Sequence, residues 1–564
     1  MVQWQSQSIE NTHLYNMYQE GVEYQVNCGL REKIPTFIDF YEGRQWPSPT
    51  PNTKNLPRPV VNIVKMICRN KKSTILSTPV KILYKSYSPL TNIERFNAFS
   101  ECVLKELGQN EIDRRAVDDG IKKGSYFYHY YWDSEACGID GRVDGGVRCE
   151  LIDPLNIFFE NPAELDEQKQ KWIIISARKS LNDVIAIADS DINLSELKSD
   201  EGESEYSSNN EQNKQKVTLL TRYFKENGEV YCERATKNCI INKPFKIVPS
   251  FSSIDTLSEG EGEGEFANYR HSPQQNQKRT LLYPIVAGYY EKREGSIYGL
   301  SEIEGIIPNQ KAINFNIAMS LLNAQECAWG KYLALPNALK GQKISNTPGQ
   351  ILIDYSGTGE GIKKLSESAL SEVPMSLTNT ITELTRSVTG ASEVMSGEAY
   401  SNNLSGAAIA YLQAQAQMPI EDLRNAFISA KRKQGLVIAQ FLKYYFYKKD
   451  FIISNKDIDG NEKSTMDTFS SYDYENSLFE VVVEAVGGSK ATLASDINLL
   501  DTCLKNGNIS LETYIKAYPE SALTNKSEIL KQIQAEKNSE IQKLKKELEF
   551  YKNSQNSRPC VDNQ

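Results

Sequence analysis

"SEIEGIIPNQKAINFNIAMSLLNAQECAWG", residues 301–330, is the stretch on which the fold turns. Its apolar residues recur at helical spacing, and they do so twice. Ile313, Ile317, Leu321, Ala324 and Ala328 line one face, and Phe315, Met319 and Leu322 line a second. Asn309, Asn316 and Asn323 return every seventh residue as a narrow polar stripe. A helix that is apolar on two sides touches neighbours on two sides. Those neighbours are other elements of one core, or copies of the same helix packed around a ring. Pro308 is tolerated in a first turn, so the helix is expected to begin near it. The stretch does not read as a membrane span. Residues 312–330 hold Glu326 together with Asn314, Asn316, Asn323 and Gln325, whereas a span needs about 20 mostly apolar residues.

Downstream, "KYLALPNALKGQKISNTPGQILIDYSGTGEGIKKL" (331–365) mixes strand-like pieces with many glycines and reads as a small α+β excursion. Helical character resumes near Pro374 and runs toward Val388. A glycine-flanked break, "MSGEAYSNNLSGAAIA" (395–410), separates it from a long helix expected over Leu404–Tyr447. Pro419 should kink that helix, because it removes an N–H and crowds the preceding turn. No Lys or Arg occurs between residues 387 and 423, so the break lacks the cation of a phosphate-binding loop. Gly397 and Gly406 would supply the bends where one helix ends and the next begins.

On the other side, residues 1–120 read as mostly helical, with Val60, Ile63, Val64 and Ile67 on one face. Strand character follows in 125–133, 147–160 and 171–180. The runs 217–224 and 230–235 flank Asn227–Gly228, a strong hairpin signal. Residues 195–216 and 258–278 are acidic, low-complexity inserts. "LFEVVVEAV" (478–486) is a late strand. The C-terminal part holds short helices and then a helix with heptad spacing, Leu530, Lys537, Leu544 and Tyr551 in one position and Gln534, Ile541 and Leu548 in the other. The fold class expected is α+β.

Composition excludes more than it includes. A chain of 564 residues implies several folding units. Its net charge of −9 and its lack of a basic tail argue against tight nucleic-acid binding, so any such contact is expected to be loose or transient. Ten cysteines without a CxxC pair, and three histidines, give no zinc pattern and fit reduced thiols in a cytoplasmic setting. The polar N-terminus reads as no signal peptide. "VEAVGGSKAT" (483–492) places Ser489 between Gly488 and Lys490, which is the wrong spacing for a phosphate loop. No G-x-S-x-G or HExxH occurs. No catalytic residue, cofactor or metal is expected, and an enzyme of nucleic-acid packaging is the weaker reading.

The order of these features resembles the portal proteins of tailed bacteriophages, the head-to-tail connector family. "FYEGRQW" (40–46) is similar to a Y-x-G-x-x-W element, followed by "VVNIVKMI" and "STPVKIL". "LIDPLNIFFENPAELDEQKQKWIII" (151–175) resembles the stretch between wing strands. "YPIVAGYYEKREGSIYGLSEIEGIIPNQKAINFNIAMSLL" (283–322), with its P-x-V, G-x-S and Q-x-x-I-N elements, is similar to the lead into the stem. "VTGASEVMSGEAYSNNLSGAAIAYLQAQAQMPIEDL" (388–423) is similar to the region after the second stem helix. The resemblance covers about 40–480, and the C-terminal part departs most.

The resemblance implies a portal fold that forms a ring, commonly of twelve subunits, at one capsid vertex of a virion assembled in the host cytoplasm. Residues 1–305 would be wing, 306–328 the first stem helix and 329–371 the clip. Residues 372–394 would be the second stem helix, 395–404 a tunnel loop, 405–486 the wing's long helix and strands, and 487–564 a helical crown. The tunnel loop (Ser396, Gly397, Glu398, Ala399, Tyr400, Ser401, Asn402 and Asn403) would line the DNA channel. Lys331, Lys340, Lys343, Lys363 and Lys364 would sit in the clip as basic candidates facing partner acids or DNA. Implied partners are other copies of the chain, double-stranded DNA in transit, the terminase large subunit, major capsid or scaffold protein, and neck or adaptor proteins, with no membrane. The alternative is another helical virion or scaffold protein without a DNA conduit.

Overall fold

The structure is a computed structural model. It describes residues 12–51, 53, 54, 56–77, 79–86, 92–136, 143, 145–192, 194, 197–200, 216–248, 281–328, 332–336, 338–343, 351, 353–355, 357, 360–364, 373–390, 406–446, 448–456, 462–474, 477–485, 490–518 and 526–556. The chain begins α1 (His13–Asn27), α2 (Leu30–Glu42), α3 (Ile63–Ile75), β1 (Val80–Ser86), α4 (Ile93–Glu106) and α5 (Gln109–Lys123). Side chains start three of these helices. Thr12, Asn62 and Asn92 each accept an N–H three residues on, satisfying a donor that the first turn leaves orphaned. Asn62 places the start of α3 at Ile63, so Val60 lies before the helix and is exposed rather than on its core face.

Strands follow: β2 (Ser125–Asp133), β3 (Gly146–Ile152), β4 (Ile157–Phe159), β5 (Trp172–Ser180), the short α6 (Leu181–Ala186), β6 (Lys216–Glu226), β7 (Glu229–Ala235), β8 (Ile240–Lys246) and β9 (Ile285–Tyr289). One sheet has the order β4-β5-β6-β7-β8 and another β3-β2-β9. The β6–β7 turn has φ of 55° at Asn227 and 88° at Gly228, the pair of left-handed residues that a two-residue hairpin of native twist requires.

The second half holds α7 (Glu302–Ala328), β10 (Tyr332–Ala334), β11 (Ile362–Lys364), α8 (Val373–Val388), α9 (Gly406–Tyr444), β12 (Lys448–Lys456), β13 (Glu462–Ser470), β14 (Phe479–Ala485), α10 (Lys490–Lys505), α11 (Leu511–Ala517) and α12 (Lys526–Asn556). The molecule is a mixed α+β protein. On α12, Ile541, Leu544 and Leu548 of the heptad pattern are exposed.

Two expectations need correction. The helix expected to begin near Pro308 begins at Glu302, because the Ser301 hydroxyl accepts the Ile303 N–H at 3.1 Å and caps it there. Pro308 therefore lies inside it. The helix expected over Leu404–Tyr447 runs Gly406–Tyr444, with Pro419 inside its continuous span. The strand expected at 478–486 is β14, Phe479–Ala485, and β12 and β13 pair antiparallel ahead of it. Their sequences, KKDFIISNK and EKSTMDTFS, carry charges that mask any strand alternation.

Sequence-distant segments share one core. β1 pairs antiparallel with β14, more than 390 positions away. Phe99 stacks on Phe469 with ring centroids 4.0 Å apart. α9 packs against β9, β1 and β14. Gly435 is the close-approach point on α9, since a Cβ there would lie 2.5 Å from Val481. Two cations tie α9 down: the buried Lys431 pairs with Asp113 of α5, and the half-buried Lys433 with the buried Glu167 at 2.6 Å.

Gly305 makes a local prediction. It sits in the second turn of α7, and a Cβ there would have nothing within 4 Å. Glycine loses more backbone freedom on folding than alanine does. Gly305→Ala is therefore expected to stabilise the protein by about 0.5–1 kcal/mol. A raised urea midpoint with unchanged slope checks it.

Candidate functional site

The site is built on the way α7 is held. Its first turn carries Glu302 and Glu304, acids that suit a helix N-terminus. Both are clamped to the body. Glu302 pairs with Lys71 of α3 at 2.8 Å, both nearly buried, and accepts the Tyr290 hydroxyl at 2.7 Å. Burial first, and the Glu302 charge second, push the Tyr290 hydroxyl far above its ordinary range, which keeps it protonated and donating. The same two causes raise the Cys68 thiol, so it stays neutral beneath α7. Glu304 pairs with Lys33 of α2 at 2.7 Å and with Arg293 at 3.2 Å.

Two turns on, a chain of buried amides continues the hold. Gln310 accepts the Ile63 N–H at 3.0 Å and donates to the Val61 carbonyl at 2.8 Å. It also donates to Asn314 at 3.0 Å, and Asn314 donates to Gln45 at 2.7 Å. Every link satisfies a group that burial would otherwise leave unpaired. With Ile303, Ile306 and Ile313 buried beside them, these contacts fix α7 to the body as far as Asn314.

α7 also pairs with α8. Asn309 donates to the Thr385 hydroxyl at 3.0 Å, which sets the antiparallel register. The polarity of α8 is the reverse of a surface helix. Thr378 and Thr385 are buried at 7% and 2% exposure, while Leu384, Val373 and Val388 are 60%, 68% and 86% exposed. The inward threonines Thr378, Thr382, Thr385 and Thr389 bond back to carbonyls four residues earlier, which satisfies their hydroxyls within the helix. α7 also has an outward stripe, with Phe315 58% and Met319 43% exposed. Lys311 and Phe315 border an open groove of about 520 Å³ walled by Phe40, Trp46 and Pro47. Apolar patches of this kind on a polar-rimmed surface mark a site of association.

The excursion between the two helices is a small folded unit. β10 pairs with β11, the Leu335 N–H bonds to the Gly361 carbonyl at 2.9 Å, and Asp354 accepts the Gly361 N–H at 2.9 Å. Leu333, Leu335, Ile351 and Ile353 are exposed on it. Two of the basic candidates make contacts within the unit. Lys340, at φ 36°, lies over the Tyr355 ring at 4.9 Å. Lys363 pairs with Glu360 at 2.7 Å. Lys343 is exposed, and Lys364 lies opposite Tyr332 in the strand pair. Lys331 and the stretch Ser396–Asn403 lie outside the described residues.

Sequence reasoning missed the Glu302 and Glu304 clamp and the reversed polarity of α8. The second had a signal. Threonines at 378, 382, 385 and 389 follow helical spacing and mark the inner face.

Among the described residues no group of metal-ligating side chains is assembled, and no helix is long and apolar enough to cross a membrane. Residues 273–476 match the family described as phage P22-like portal protein, which supports a phage portal protein. The matched span runs from ahead of β9 through α7, the excursion, α8 and α9 to the end of the β12–β13 pair, which is less than half of the chain. No curated protein matches the chain.

Proposed function

We propose that copies of this chain close into a ring around a channel for duplex DNA at one vertex of a phage capsid. The portal-family match supports the reading, and the outward apolar face of α8 inside the matched span carries it. A helix that turns threonine inward and leucine and valine outward gains free energy when another surface covers its outer face. On this reading α7 and α8 are the stem and residues 329–371 the clip. Residues 1–305 and 405–486 are the wing, 395–404 the tunnel loop and 487–564 the crown.

The chemistry fits conduction rather than grip. Each phosphate contact from Lys or Arg adds salt-dependent affinity, and a chain of net charge −9 leaves DNA free to slide. The clip's exposed leucines and isoleucines, with Lys340, Lys343 and Lys363 near them, suit successive docking of terminase during packaging and neck proteins later. Twelve subunits is the expected number. The ring works as a conduit and docking platform in the virion, meeting capsid or scaffold protein at its rim, and performs no catalysis.

Two measurements test this. Sedimentation of purified protein should give an assembly of many 63.7 kDa chains, and a species that stays monomeric at every concentration sinks the reading. Deleting Gly397–Asn403 should leave that assembly intact and impair DNA packaging or retention. Unchanged packaging and retention would remove the tunnel-loop assignment.

A further inference from the structure

We infer that the outward faces of α7 and α8 are the two halves of one head-to-tail contact between copies of this chain, keyed by Lys311 on one copy and Glu383 on the next. The inference rests on the ring reading and adds the residues that set its register. Three observations carry it. First, each outward face holds a single charge, and the two are opposite. Lys311 is the one charged residue among the described side chains of α7 beyond its first turn, and it is exposed. On α8, Glu383 is exposed among Leu377, Thr380, Leu384 and Val388, while Arg386 is half-buried against Met66 of α3. No ion pair within the chain engages either charge among the described residues.

Second, the two charges are level. The Asn309–Thr385 hydrogen bond fixes the antiparallel register, so each step along α7 is matched by a step back along α8. Two steps from that bond lie Lys311 and Glu383. A rotation about an axis running along the helices keeps heights unchanged, so the α8 of one copy meets the α7 of the next with these residues at the same height. Third, the surroundings are complementary in kind. Lys311 and Phe315 edge the groove of about 520 Å³ walled by Phe40, Trp46 and Pro47. Leu384, next to Glu383, is the apolar side chain that fills it. Asp39 and Arg44 also line the groove, but they pair with each other at 2.7 Å, which leaves Lys311 as its one cation without an ion pair among the described residues.

Complementary charge reversals test this on the full-length protein, read by sedimentation across a concentration series. Lys311→Glu and Glu383→Lys should each raise the concentration for half-assembly at least about tenfold, because like charges then face each other at every contact in the ring. Both positions are exposed, so each variant should keep the thermal midpoint of the wild-type monomer. An equal mixture of the two single variants should assemble near the wild-type concentration, since alternating copies restore an opposite pair at every contact. The double variant should do the same. If the wild type assembles and the single variants assemble equally well, the inference fails while the ring reading stands. Rescue in the double variant without rescue in the mixture would place the pair within one chain, and also overturns it. A wild type that never assembles overturns the ring reading itself.

Discussion

Lys431→Ala is expected to lower the stability of the folded chain by about 3 kcal/mol. Lys431 and Asp113 are each 5% exposed, and they join α9 to α5 across most of the sequence. Removing the ammonium leaves a carboxylate in the core. Asp113 would keep the Tyr128 hydroxyl and the Gln109 amide, each donating at 3.0 Å, which holds the cost at the low end for a broken buried pair. Truncation at Lys431 also removes packing against the Phe427 ring. Replacing both charges, Asp113→Asn with Lys431→Met, should recover most of the loss, because a neutral pair has no desolvation penalty to offset. Urea midpoints of the two single variants and the double give the comparison. A single variant within about 0.5 kcal/mol of wild type would mean the pair does not hold α9 to the body.

Gly299→Ala is expected to cost a similar amount, about 3 kcal/mol, at the upper end for overpacking. A Cβ at Gly299 would lie 2.4 Å from the Gly124 carbonyl oxygen and 2.7 Å from that of Glu291. Both obstacles are backbone, so no side chain can swing aside. Gly124 itself has φ 89°, and its carbonyl accepts the Tyr290 N–H at 2.9 Å, so moving it disturbs the end of α5 and the strand beside it. Gly299 also donates its N–H to Ser125 at 2.6 Å. Gly299 lies three residues before α7, and these contacts aim that helix. The variant should lose assembly as well as stability. Gly305, six residues on with open space around it, is the control that should tolerate the same change.

The sequence made α7 legible because its apolar residues repeat at 3.6, a signal carried by the helix itself. The hairpin at Asn227–Gly228 was legible because two consecutive left-handed residues are permitted to few side chains. The start of α7 was misread because proline at a helix start is a strong local rule, while the Ser301 cap depends on the chain around it. β1 and β14 each read as apolar, yet their pairing spans most of the chain and no local pattern announces it. The β12–β13 pair was missed because both of its strands carry charges, which hides alternation. The site was half-legible. Two apolar faces on α7 already implied partners on two sides, but the outward face of α8 appears only when the inward threonines are seen against Asn309.

The most direct test of the central claim is an electron-microscopy reconstruction of the purified full-length protein. The account predicts an annulus whose hole is wide enough for duplex DNA, with α8 of each copy seated on α7 of the next and Lys311 beside Glu383. Monomers or closed dimers alone, or a ring in which the outward faces of α7 and α8 stay in solvent, would contradict it.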